Sequence, residues 1–355
     1  MALMNSMNSA FSAMDGFKKG FDVVSNNISN VNSIGFKSSK MSYVPAFSTV
    51  LQRSVPSSLN SNSNQVAMQV GNGLDIGGTI TNFSQGALER TEQDTDLAIV
   101  GDGYFKVTDH VSNTSYLTRV GNFRQDDNEY LVTYMQGYRL QGLRYDGTSM
   151  PAYEVDYKDG TFIFTAIPPD NGANVPTVGD LQVKFSYAEG DILEKATNAH
   201  NITGGKLYMT DTAKAEVVDN RTTKAEIAKK APSIQSLSIG NAGEIYYTFS
   251  DNNSTKALGG KILLTKVNDK HALMHEGDGL FTGLDAAGAL PFEQNTSEAG
   301  LNGIGYIRSK ALEMSNVDLS KEFSETITLQ RGFQAVARVI TVADEILTEV
   351  VNLKR

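Results

Sequence analysis

The sequence predicts an α+β protein: long N- and C-terminal helices that form a coiled coil, plus two mainly antiparallel β domains, one inserted in the other. Three observations carry this expectation. Apolar residues at both ends of the chain recur about every 3.5 residues. The residues between alternate with the period of a strand and are punctuated by Gly, Asp and Asn turns. One stretch inside that β region, 146–231, differs in texture from what flanks it.

At the N-terminus, Leu3, Met7, Ala10, Met14, Phe17, Phe21, Val24, Ile28 and Val31 step alternately by four and three, which is the seam of a coiled coil. The segment then runs into SNNISNVNSIGFKSSK, residues 25–40, crowded with short polar side chains. Asn and Ser there bond backbone groups where a chain leaves a helix. At the C-terminus, Leu329, Phe333, Val336, Ile340, Ala343, Leu347 and Val350 repeat the same steps, and Val339, Ile346 and Leu353 widen the stripe. Asp318 is placed to cap a helix over 319–353, with Glu322 and Glu325 favouring its first turns. Such a helix is about 50 Å long. Small residues fill the other faces: Ser6, Ser9, Ser12, Ala13 and Gly16 on one helix, Gly332, Ala335 and Ala337 on the other. A water-facing helix normally carries more charge, so these helices are expected to pair with each other and with further copies. A lone amphipathic helix is marginal in water, so the ends are expected to order on assembly.

Four regions are expected. Residues 1–40 with 311–355 form the terminal coiled coil. Residues 41–74, with SSLNSNSNQ at 57–65, form a Ser/Asn-rich linking loop. Residues 75–145 with 232–310 form a middle β domain from strands such as LDIGGTITNF, LAIVGDGYFKV, YLTRVGNFRQ and EYLVTYMQGYRL. Residues 146–231 form the inserted outer β domain, with YEVDYKDGTFIFTAI and LQVKFSYAEG as hairpins.

Chemistry finds little to hold. The chain of 355 residues carries a net charge of −9 and no Lys/Arg run, so nucleic acid is not an expected partner. It has no cysteine, which excludes disulfides and thiolate ligands. No run of apolar residues is long enough to span a membrane, and the N-terminus lacks the basic leader of a cleaved signal peptide. HALMH at 271–275 has helical metal-ligand spacing but follows a strand-like run and reads as a turn. GDG at 101–103 reads as a β-turn, and the acidic bunches EQDTD and QDDNE match no calcium loop. No enzyme activity, cofactor or metal is expected.

Three segments together resemble one family. SNNISNVNSIGFKSSK (25–40), LERTEQDTDLAIVGDGYFKV with YLTRVGNFRQDDNEYLVTYMQGYRLQG (88–107 and 116–142), and the segment from ALEMSNVDLSKEF to the C-terminus (311–355) resemble, in order, the signatures of bacterial flagellar rod and hook proteins. The resemblance marks Asn26, Asn27, Asn30, Gly35, Phe36, Asn316 and Asp318 as signature residues. It implies a subunit exported through the flagellar type III apparatus without a cleaved signal peptide. Such a subunit stacks with copies of itself into a helical tube and meets other axial proteins: rod, hook cap and hook–filament junction. It implies an inner layer of terminal helices and outward β domains. Within the family, a large insert points to the curved torque-transmitting hook, whereas the long Ser/Asn-rich loop at 46–72 resembles the straight distal rod. A secreted binding module is a further reading, and it leaves the two heptad seams unexplained.

Overall fold

A computed structural model of the chain describes residues 2–54, 66–128, 130–145, 153–158, 161–166, 176–181, 202–203, 206–208, 234–249, 256–290 and 297–353. The chain divides into two units, one of 1–86 with 314–355 and one of 87–313. Helices occupy the two ends, and the sheets between them are antiparallel throughout the described residues.

The first unit starts with helix α1, Ala2–Ser29. Its last turn loosens through Asn30–Ile34, and Gly35 adopts φ 68°, the left-handed value that favours glycine. Four strands follow: β1 (Ser39–Pro45), β2 (Thr49–Gln52), β3 (Met68–Val70) and β4 (Leu74–Thr81). β1 pairs antiparallel with β4 from Ser39↔Thr81 to Pro45↔Leu74, and β2 pairs with β3. The segment 41–74, read from sequence as a linking loop, thus holds most of β1 and all of β2 and β3. Its Ser and Asn content hides the strand alternation in SYV and TVLQ, and cross-strand pairing supplies what local propensity lacks. SSLNSNSNQ lies outside the described residues. The unit closes with helix α2, Leu319–Leu353, which packs along α1.

In the second unit, β5 (Leu88–Arg90), β6 (Leu97–Val100), β7 (Tyr104–Asp109), β8 (Thr114–Thr118), β9 (Phe123–Gln125), β10 (Leu131–Thr133) and β11 (Arg139–Tyr145) follow in chain order. Next come β12 (Tyr153–Lys158), β13 (Thr161–Ala166), β14 (Pro176–Asp180), β15 (Ile202–Thr203) and β16 (Lys206–Tyr208). The chain continues through β17 (Ile234–Ile239), β18 (Glu244–Phe249), β19 (Lys256–Ile262), β20 (Leu264–Thr265), β21 (Met274–Gly277) and β22 (Leu280–Thr282), and ends with β23 (Tyr306–Ser309) and β24 (Ala311–Glu313). The main sheet runs β17-β18-β19-β11-β7-β8-β22-β21. Leu97, Ile99, Phe105, Leu140, Ile245 and Ile262 fill its core. These come from both sides of the middle segment, so residues before 145 and after 234 share one core.

Two boundaries differ from expectation. β4, assigned from sequence to the middle β domain, belongs to the helical unit. β14, inside the expected insert, pairs with β11, and Leu181 after it is fully buried in the main core. A separate four-stranded sheet, β13-β12-β16-β15, is formed by residues from that stretch. The hairpin expected at LQVKFSYAEG lies outside the described residues beyond Leu181.

Candidate assembly interface

The small face of α1 receives the chain's own ribbon. Gly16 is buried, and a Cβ there would sit 2.6 Å from Leu74 and 3.6 Å from the Tyr43 ring. Ser12 Oγ accepts from Leu74 N at 3.3 Å, and Tyr43 Oη donates to Gly16 O at 3.4 Å. Burial, with the nearby Glu325 carboxylate, pushes the Tyr43 hydroxyl above its ordinary pKa. Part of the small-residue face expected to meet other copies is thus covered within the chain.

The helices meet where a side chain enters the gap of a glycine. A Cβ on Gly332 would lie 2.8 Å from the Phe17 ring, and one on Gly20 would meet Leu329 at 3.1 Å and overlap the Tyr43 hydroxyl. Gly332, read from sequence as part of an outer face, lies instead on the α1 side. Val24 and Leu329 are buried; Met7, Met14, Phe21 and Ile28 on α1, and Val336, Ile340 and Leu347 on α2, are half-buried. Val31 is half-buried in the turn beyond α1. The side chain of Leu3 lies outside the described residues. Phe333 is 37% exposed at the rim and Val350 is 56% exposed.

The signature residues form a polar node at the helix ends. Asn27 is buried; its Nδ2 donates to Ser39 O at 2.7 Å and to Glu322 Oε2 at 3.2 Å, and its Oδ1 accepts from Ser39 N at 3.0 Å. Asn30 Nδ2 donates to Asn26 O and Oδ1 at 2.9 and 3.0 Å, tying the last turn of α1. Asn316 holds three segments. Its Oδ1 accepts from Ser38 N at 2.7 Å, and its Nδ2 donates to Asn82 O at 2.8 Å and to Ser84 O and Oγ at 3.1 Å. Its backbone N–H donates to Phe36 O at 3.4 Å, and Lys37 Nζ donates to Ser84 O at 2.8 Å. Asp318 caps α2, its Oδ1 accepting from Ser320 N at 2.9 Å. Sequence reasoning did not pick out Glu322, Ser39 or Ser84 as partners. Glu322 carries one signal, its place seven residues before Leu329 on the heptad; Ser39 and Ser84 lie in a strand and a loop and carry none.

A second apolar surface stays uncovered. On α2, Leu319, Phe323 and Ile327 are exposed near one end, and Val339, Val342, Ile346, Val350, Val351 and Leu353 toward the other. The ribbon exposes Phe47, Leu51 and Met68. Apolar side chains in such a row cost free energy in water and mark an interface. The other sites considered from sequence have plain geometry. His271 lies in a 3-10 turn and His275 in β21, so HALMH has no helical face. GDG turns β6 into β7, with Gly101 and Gly103 at positive φ.

Two family models match the chain, together covering more than half of it: "Flagellar hook protein FlgE/F/G D1 domain" over residues 98–247, and "Flagellar basal body rod FlgEFG protein C-terminal" over 308–353. The flagellar basal-body rod protein FlgG of Bacillus subtilis is 29% identical over 354 residues, covering 99% of this chain and all of the relative. The flagellar hook protein FlgE of Borreliella burgdorferi is 26% identical over 449 residues, covering 99% and 100%. The hook protein FlgE of Salmonella typhimurium is 24% identical over 431 residues, covering 98% and 100%.

Proposed function

The chain belongs to the flagellar hook and rod axial proteins, and from that membership we propose that it is a structural subunit of the flagellar hook. In this reading it self-assembles into a helical, tubular, flexible joint that transmits motor torque to the filament. The observation that carries the reading is the apolar row on α2 that the chain leaves uncovered. α1 and α2 act as a coiled coil in the inner layer and order as copies join. The sheet of β12, β13, β15 and β16 acts as an inserted outer domain. The partners are other copies, the adjoining rod, hook cap and hook–filament junction, and the type III export apparatus, which passes the chain outward without cleavage. The function is packing and involves no turnover, cofactor or metal.

The full-length similarity to a rod protein supports a second reading, a straight distal rod subunit. One experiment addresses both. Val339→Asp and Ile346→Asp change exposed residues, so each isolated chain should unfold within about 0.5 kcal/mol of the parent. Both should fail to sediment as polymer, because an interface would bury an unpaired charge. Normal polymerisation of both variants would falsify the α2 interface. Electron microscopy of the parent polymer separates the readings: a curved tube supports the hook and a straight one the rod.

A further inference from the structure

The terminal helices meet antiparallel, in one register. Asn27 lies against Glu322, Gly20 against Leu329, and Phe17 against Gly332. From the first pair to the second, α1 steps back seven residues while α2 steps forward seven; to the third, each moves three more. Such a spacing repeats by heptads, so the period by itself allows a slip of one heptad. Something must choose among the registers.

Asn27 and Glu322 are buried polar residues on this line, 1% and 8% exposed. The Asn27 amide is fixed from the other side, because its Oδ1 and Nδ2 both bond the backbone of Ser39 in β1. It therefore cannot follow a sliding helix. We infer that the Asn27–Glu322 hydrogen bond selects the register of the terminal helix pair, with β1 as the fixed reference. Slipped by one heptad, Glu322 would face Gly20 or a residue beyond the end of α1, neither of which offers a side-chain donor. A buried carboxylate that loses its donor is disfavoured, and this loss adds to that of Phe17 from the gap at Gly332. The inference concerns the folded chain and holds whether the assembled tube is hook or rod.

The absence of cysteine makes the test clean. In the full chain, Ala13→Cys with Val336→Cys continues the present register by one further step of four. Ala13→Cys with Ala343→Cys reports a slip of one heptad. After mild oxidation, intramolecular disulfide in the first pair should exceed that in the second by about tenfold or more. With Asn27→Leu and Glu322→Leu added, that preference should fall by about threefold or more. Glu322→Gln retains an acceptor for the amide and should keep the parent preference. A doubly substituted chain that keeps the full parent preference overturns the inference. So does one that loses both disulfides while Glu322→Gln keeps the first, because the pair would then hold the helices together without choosing their register.

Discussion

Arg119 and Glu313, 194 residues apart in the chain, form a buried ion pair with Nη1 3.2 Å from Oε2 and side chains 4% and 0% exposed. Arg119 Nη2 also donates to Gly101 O at 2.8 Å, and its guanidinium lies 5.1 Å from the centre of the Tyr104 ring. The pair thus joins the GDG turn, the YLTRVG strand and the start of the C-terminal segment, which are separate motifs in the sequence. Removing one member takes from the other its buried counter-charge. Arg119→Leu or Glu313→Leu should each lower the stability of the β unit by about 3–5 kcal/mol, and the double variant Arg119→Met/Glu313→Leu should recover most of it. Calorimetry of the full chain checks this; equal losses in single and double variants would show that the pair does not act as one unit.

Alkaline stability should follow Tyr104. Burial pushes its hydroxyl up to about 12, against the lowering pull of Arg119. The unfolded chain loses this proton near pH 10. Between those values the unfolded state binds fewer protons, so stability should fall as pH rises. Tyr104→Phe should flatten that limb of the stability curve, as read from denaturant midpoints at each pH.

Acid stability should follow Asp180. Burial alone would raise its pKa, but hydrogen bonds from Gln141 (2.6 Å) and Arg139 (3.0 Å) and the charges of His110 and Arg139 hold it below the usual carboxylate range. A depressed pKa contributes stability above the unfolded value, about 4, and loses it as pH falls through the folded value. Asp180→Asn should therefore cost stability at neutral pH and reduce its loss below about pH 4. An unchanged acid limb in this variant would remove Asp180 from the account.

The glycine gap on α2 should discriminate by size. Gly332→Ala adds a Cβ against the movable end of the Phe17 ring. The gain in helix propensity, about 1 kcal/mol, should offset that contact and leave the chain near neutral. Gly332→Leu overfills the gap and should cost about 1–3 kcal/mol. Adding Phe17→Ala should restore part of that loss. Helix melting followed by circular dichroism reads all three, and an indifferent Gly332→Leu would contradict close packing at this point.

Asn316→Ala removes four side-chain hydrogen bonds and leaves Ser38 N and Asn82 O short of a partner. A loss of about 2–4 kcal/mol from the helical unit is expected. Hydrogen exchange at Ser38 should rise sharply, with the β unit unaffected.

Both helices were legible because a heptad needs only residue type, and α2 begins and ends where Asp318 and the last apolar residue of the repeat place it. Strands such as β6 and β7 were legible from alternation between turns. β4 was legible as a strand, but its partner β1 and the ribbon they form were not, because β1 gains its order from pairing across residues 39–81 and from contact with α1. The part of β14 in the main sheet was hidden for a related reason: alternation marks Leu181 as a strand residue, and only the β11 ladder places it in the main core. At the candidate interface the sequence marked Asn27 and Asn316 without their partners, because a hydrogen bond between distant residues has no local signature.

The ladder between β5 and β24 joins Leu88 to Glu313, the two ends of the β unit. Its consequence is kinetic. Closing so long a loop costs entropy before any contact repays it, and sheets built from distant strands fold slowly. A ribosome releases the chain from the N-terminus, so β5 and β6 have no ladder partner until β23 and β24 emerge. For most of its synthesis the β unit stays unclosed, and the last strands to be made are the ones that shut it.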